Sequence, residues 1–259
     1  MCRALSRVRM KLESLSVAAI LDKLEAFHGQ QEPCWPVDPY EFLIWWHCGY
    51  PASDTTCSKG WDALNREVGI EPRRILAASQ AKLAHALKAG GMVPELRAMR
   101  LQEIAQRVMN EFGGDLRAGL AGQVGEIRKA LKKFPGIADP GADRILLFGH
   151  LQPVAAVPSN CPQVLVRIQL GLERENYGVN YREAQKLIED EVFEQFHARQ
   201  RAYLLQKEHG QTICKRSKPK CDECPVSSSC AYFAGKNRGR SRPGRGNAGS
   251  GDHRDAATA

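Results

Sequence analysis

The sequence predicts an all-α fold, on three observations. Apolar residues recur at helical spacing almost throughout, strand-like alternation is hard to find, and turn residues cut the chain into about nine or ten short helices. With 259 residues, 43% of them hydrophobic, the chain can bury one larger core or two small ones. No internal repeat and no heptad run is present.

The elements follow in order. Val17, Ile20, Leu21 and Leu24 mark one face of a first helix. Asp38-Pro39-Tyr40-Glu41 is a capping box with proline in the first turn, opening a helix that carries Phe42, Leu43, Trp45 and Trp46. Further apolar faces lie at Trp61 and Leu64, at Leu83 and Leu87, at Leu101, Ile104, Val108 and Phe112, and at Val124, Ile127 and Leu131. Gly90-Gly91 and Gly113-Gly114 are expected stops. Later in the chain, Asn160 is expected to cap a helix with Val164, Leu165 and Ile168, and Asn180 with Glu183 to start one with Leu187 and Ile188.

The net charge is +8, and residues 235–259 supply six basic against two acidic side chains. Arg238, Arg240, Arg242 and Arg245, separated by glycine, serine and proline, predict a disordered basic tail, either merely solvated or a phosphate-binding arm. No stretch reaches the roughly 18 apolar residues of a membrane span, and the basic start, Met1 to Lys11, has no apolar signal core behind it. A cytoplasmic location without membrane contact is therefore expected.

Nine cysteines without a secretion signal argue against a disulfide framework. Cys214, Cys221, Cys224 and Cys230 are spaced by six, two and five residues, close enough to converge on one centre, whereas Cys2, Cys34, Cys48, Cys57 and Cys161 are scattered and read as small buried hydrophobes. Four thiolates suit tetrahedral zinc or an iron–sulfur cluster equally, so ligand chemistry alone leaves both open. Lys215, Arg216, Lys218 and Lys220 lie between the first two cysteines, a positive loop that could meet phosphates. Upstream, Phe134-Pro135-Gly136-Ile137-Ala138 separates two helical patterns.

The cysteine spacing, with His209-Gly210 ahead of it, resembles the [4Fe-4S] loop of the endonuclease III branch of helix–hairpin–helix DNA glycosylases, and residues 124–149 resemble the hairpin of that family. The likeness runs in order from about Asp38 to Phe233. It implies two helical lobes with a DNA groove between them: residues 33–153 as a six-helix lobe with the hairpin, and residues 1–32 with 154–234 as a discontinuous lobe carrying the cluster loop. It implies a [4Fe-4S] cluster on the four cysteines in place of zinc, and double-stranded DNA, damaged DNA included, as the partner of a monomer. Gly136, Ile137, Ala138 and Gly141 would present backbone amides and a helix start to phosphate, assisted by the four basic residues of the cluster loop.

The resemblance fails at the residues that carry the chemistry. Where lyase members place an amine nucleophile, this chain has Pro140; where the family has an aspartate, it has Asn160 or a neighbour. No Schiff-base lyase activity of the family type is expected, since Lys132 and Lys133 lie on the other hairpin helix and face solvent. Asp139 and Asp143 are the candidates for a relocated carboxylate, and Asp139 is also a candidate cap that would repel phosphate. Pro51 stands where the family often has a glutamine that enters the space of a flipped nucleotide. Asp54 matches the family but is expected as a helix cap, and Trp45 and Trp46 as core. Three functions remain: a monofunctional DNA N-glycosylase, a catalytically silent lesion-binding relative, and a zinc-stabilised helical adaptor.

Overall fold

The computed structural model describes residues 15–240; the basic N-terminal stretch and residues 241–259 of the expected tail lie outside the described residues. Among the described residues the secondary structure is entirely helical. The helices are α1 (Val17–His28), α2 (Pro39–His47), α3 (Asp54–Glu67), α4 (Pro72–Ala77), α5 (Gln80–Leu87), α6 (Pro94–Phe112), α7 (Leu116–Gly119), α8 (Val124–Leu131), α9 (Asp139–Phe148), α10 (Gln163–Leu165), α11 (Tyr177–Glu191), α12 (Phe196–Thr212) and α13 (Ala231–Arg240). The surplus over the sequence expectation comes from single-turn pieces such as α7 and α10, too short for a periodic pattern. Because α13 runs to Arg240, the start of the expected tail, 235–240, is helical.

Local signals account for several boundaries. The Asp38 carboxylate accepts from the amides of Tyr40 at 2.9 Å and Glu41 at 3.2 Å, with Pro39 as first helical residue. Gly91 (φ 98°) and Gly113 (φ 61°) stop their helices in a conformation that strains other residues. Other expectations are corrected. Asn160 does not cap: α10 starts at Gln163 behind Pro162 and passes into a π-helical turn, Val166–Leu170. Asn180 lies inside α11, buried, with its amide bonded to both backbone groups of Arg174, while Asn176 caps the helix. Asp54 is not a cap either, because Ser53 Oγ takes the Thr56 amide.

Two hydrophobic cores form. One gathers α2 to α9 around Trp45, Leu64, Leu101 and Leu146; the other gathers α1, α10, α11 and the cluster loop around Ile20, Leu165, Ile188 and Val226. Helix α12 belongs to both: Tyr203 and Leu204 join the first core, Ala202 and Leu205 the second. A helix apolar on opposite faces shows no single stripe, and it ties the two cores together. Trp45 and Trp46 are core residues, as expected.

The approach of α3 to the turn after α5 depends on missing side chains. A Cβ on Gly60 or Gly90 would lie 2.3 Å or 1.6 Å from the Cys48 carbonyl oxygen. Arg97, 1% exposed, fills the same junction and donates to the carbonyls of Cys48, Leu87, Gly91 and Met92, so its buried charge is fully occupied by acceptors.

Candidate iron–sulfur centre and nucleic-acid interface

After α12, the backbone amide of Cys214 bonds the His209 carbonyl at 2.7 Å, which turns the chain into the cysteine loop. Cys214, Cys221, Cys224 and Cys230 all line one cavity. Burial pushes the thiols of Cys214 and Cys224 up to about 11, so a metal at this site has to displace their protons. Among the described residues no three His, Cys, Asp or Glu side chains form a site for a single metal ion. Four thiols lining one cavity are the soft, deprotonatable donors an iron–sulfur cluster takes.

The loop is fastened from beneath by groups suited to a thiolate site. Arg167, in the π-helical turn and 3% exposed, donates to the carbonyls of Lys215 at 2.9 Å and Arg216 at 2.8 Å, and its Nη1 stands 3.8 Å from Cys214 Sγ. Glu173 holds the far side of that guanidinium through Arg167 Nε at 2.9 Å. Gln163 donates to the Cys214 carbonyl at 3.1 Å, and His209 Nε2 lies 3.5 Å from Cys224 Sγ. Such outer contacts orient ligands and tune a metal centre.

Lys215, Arg216, Lys218 and Lys220 are all exposed on the loop. Arg216 faces Glu173 and Lys220 faces Glu223, each at 3.3 Å, whereas Lys215 and Lys218 make no ion pair among the described residues.

The hairpin is formed by Gly136 at φ 69° between Phe134 and Ile137, whose buried side chains anchor it. Gly136 and Ala138 are exposed residues, and their amides donate to no backbone acceptor. Against expectation, the Ile137 side chain is buried and its amide donates to the Phe134 carbonyl at 3.3 Å, and Gly141 is half-buried in the first turn of α9. Asp139 is not the cap; it is the first residue of α9, with its carboxylate 2.7 Å from Lys132 Nζ.

Asp143 does not suit the role of relocated base. It is 1% exposed and receives Arg128 Nε at 2.8 Å, the Tyr181 hydroxyl at 2.8 Å and Gln185 at 3.0 Å. Every lone pair facing a donor is committed to joining α8, α9 and α11. Burial raises its pKa, and the Tyr181 and Arg128 hydrogen bonds pull it back. Asp139, exposed and paired with a lysine, likewise lacks the surroundings of a tuned base.

Pro140 and Asn160 fall in different cavities. Pro140 lines one beside α11 with Asp139 and Asp143, while Asn160 lines another with Asp54, Arg144, Tyr203 and Lys207. In the second cavity Asp54 Oδ2 is 2.8 Å from Lys207 Nζ, a residue the sequence reading passed over. Its signal is local: Ala202, Tyr203, Leu204, Leu205 and Gln206 are buried in succession, so a lysine next in line sits on a helix enclosed on most sides. Cys48, Cys57 and Cys161 are buried as expected, Cys34 is exposed, and Cys2 lies outside the described residues.

These features define a class, an all-α iron–sulfur protein with a helical hairpin. Residues 214–230 match the iron-sulfur binding domain of endonuclease III. The chain is 25% identical to endonuclease III of Thermotoga maritima over 206 residues, 79% of this chain and 88% of that protein. It is 28% identical to the thymine/uracil-DNA glycosylase of Methanothermobacter thermautotrophicus over 61% of this chain and 66% of that one. Its fold resembles a non-covalent endonuclease III–DNA complex (TM-score 0.68, 18% identity, 86% of this chain and 99% of the other) and a thermostable thymine-DNA glycosylase (TM-score 0.66, 21% identity, 85% and 97%). The chain is thus similar in sequence to endonuclease III and shares the all-α fold of these glycosylase structures, and its cofactor is a [4Fe-4S] cluster rather than zinc. Among the described residues no helix is long and apolar enough to cross a membrane.

Proposed function

We propose that this chain is a monomeric, cytoplasmic DNA-binding protein of base-excision-repair type, which holds its cluster on Cys214, Cys221, Cys224 and Cys230 and uses the cluster loop and hairpin to grip duplex DNA, damaged DNA included. The observation that carries this reading is the surface of the cysteine loop, where Lys215, Arg216, Lys218 and Lys220 are exposed together beside a thiol-lined cavity. Residues 33–153 and the discontinuous lobe of 1–32 with 154–234 would flank the groove. The hairpin amides of Gly136 and Ala138, with the α9 start at Gly141, supply neutral phosphate contacts. Pro140, which has no amine, argues against lyase chemistry at the hairpin.

A specific observation favours a second activity, base removal without the hairpin amine. The cavity at Asn160 has the stacked pair Trp46 and Tyr50, ring centroids 4.2 Å apart, on one wall and the Asp54 carboxylate within it. An aromatic wall and an acceptor are what a flipped nucleotide needs.

Both are tested with the yellow-brown holoprotein and a panel of duplexes bearing uracil, oxidised or alkylated bases, read for affinity across a salt series and for released base. Salt-sensitive binding supports the first reading, and release of one base supports the second. Feeble binding that ignores salt would sink the DNA reading.

A further inference from the structure

Two histidines far apart in the sequence meet where α1 packs on α12. His28 is the last residue of α1 and is half-buried. Its Nε2 stands 3.0 Å from Nδ1 of His209, a fully buried residue in the last turn of α12. The other ring nitrogen of His209, Nε2, stands 3.5 Å from the sulfur of Cys224. Among the described residues these are the hydrogen-bond partners of the His209 ring, which therefore bridges the end of α1 and one of the four clustered cysteines. Histidines that merely filled the seam between two helices would not need both nitrogens of one ring aligned on polar atoms.

Burial holds His209 neutral, and a neutral imidazole carries one N–H. Which nitrogen carries it is set by the bond the other one makes. Two arrangements are open. If His209 donates from Nδ1 to His28, a bare lone pair on Nε2 faces Cys224; this suits a protonated thiol, which can donate to it, and repels a thiolate. If His28 donates from Nε2, His209 accepts at Nδ1 and its own N–H points at the sulfur. With Cys224 deprotonated as a cluster ligand, the second arrangement alone gives every group a partner.

We infer that His28 is a positioning residue for the iron–sulfur centre: by donating to Nδ1 of His209, it fixes the tautomer whose Nε2–H is given to the Cys224 thiolate. An N–H donated to a ligand sulfur offsets negative charge there. That charge is greater when the cluster is reduced, so the bond raises the reduction potential. His28 acts on the centre at one remove, from a helix that supplies no ligand. The inference rests on Cys224 as a ligand and is independent of DNA binding.

The test measures the midpoint potential of the cluster in full-length holoprotein by film voltammetry, with iron content and circular dichroism taken on the same samples. H28F removes the donor and keeps a ring against Phe27, where the native centroids are 4.8 Å apart. Its potential should shift below that of wild type at full iron content. Iron retention against a chelator should weaken on the order of 10-fold, the lower end of what an outer contact of a metal ligand contributes. H28Q sets an amide N–H near the place of Nε2 and should restore both readings, whereas H28N, one carbon shorter, should not. An unshifted potential in H28F, or H28Q shifted as far as H28N, overturns the inference. If H28F does not load its cluster, the H28Q and H28N pair decides instead: a difference between them supports the donor, and equality overturns it. C224A separates this inference from the ligand assignment. A colourless C224A beside an unshifted H28F overturns His28 alone, and a C224A with full iron and sulfide overturns the ligand and the inference together.

Discussion

Replacing Arg167 by methionine should loosen the cluster loop at its root. In the native protein the guanidinium donates to the Lys215 and Arg216 carbonyls at 2.9 Å and 2.8 Å, bonds Glu173 through Nε at 2.9 Å, and packs 4.9 Å from the Tyr232 ring centroid. Methionine fills similar volume and donates nothing. Breaking a buried ion pair costs about 3–5 kcal/mol when the remaining charge is stranded. Here Arg216 still faces Glu173 at 3.3 Å, and the two carbonyls belong to exposed residues that water can reach, so the lower end applies, about 3 kcal/mol. With a urea dependence of about 1–3 kcal/mol per molar, the midpoint should fall by roughly 1–3 M. Unfolding is followed by circular dichroism and by visible absorption in parallel, and iron loss by timed exposure to a chelator. R167M should lose colour before helix, because the contacts removed belong to residues 214–216. An unchanged midpoint together with unchanged iron retention would show that Arg167 is not the fastening of the loop. R167K should rescue little, since one ammonium cannot serve both carbonyls and the carboxylate with a fixed fork.

Three further outcomes follow from the geometry. C221A should yield colourless protein lacking iron and acid-labile sulfide in elemental analysis, and a wild-type level of either would refute the ligand assignment. K215A and K218A should each weaken binding to all duplexes alike and lower the slope of log affinity against log salt by about 1, measured by fluorescence anisotropy; a change confined to one sequence would contradict a phosphate role. His47 is held neutral in the first core, where burial pushes its pKa down from 6.5 to about 4. Its stability contribution is complete above the unfolded value and is lost as pH falls from about 6.5 to 4, about 3 kcal/mol in all, so H47Q should unfold with a flatter acid limb than wild type in urea titrations.

Helices that bury one stripe were plain in the sequence, as Leu101, Ile104 and Val108 on α6 show, and so were boundaries set by strong local chemistry such as Asp38 and Gly113. Reading failed where one side chain had two uses to choose between. Asn180 and Asp54 both fit a cap by type and position, but neighbours Asn176 and Ser53 took the amides, leaving Asn180 to hold a loop and Asp54 to face Lys207. The cysteine loop was legible because four ligands of one type fall within 17 consecutive residues. The Asn160 cavity was not, because its residues come from α2 and the turn after it, α3, α9, α12 and the segment before α10, and no local pattern records that meeting.

Polar groups are used differently in the two cavities that hold Pro140 and Asn160. Beside the hairpin, the polar side chains have been turned to structure: Asp143 ties Arg128, Tyr181 and Gln185 together, Asp139 is spent on Lys132, and Pro140 favours the start of α9 through its fixed φ. A carboxylate with three donors in a buried junction is worth most while it stays ionised and still, which is the reverse of what a base must do. Across the fold, Asp54 and Lys207 are arranged the other way, with one contact between them, a competing cation nearby and open space in front. Tyr181 belongs to the second core, so the Asp143 junction is part of what holds α8, α9 and α11 together, whereas the hairpin turn at Gly136 and the cysteine loop are built without it.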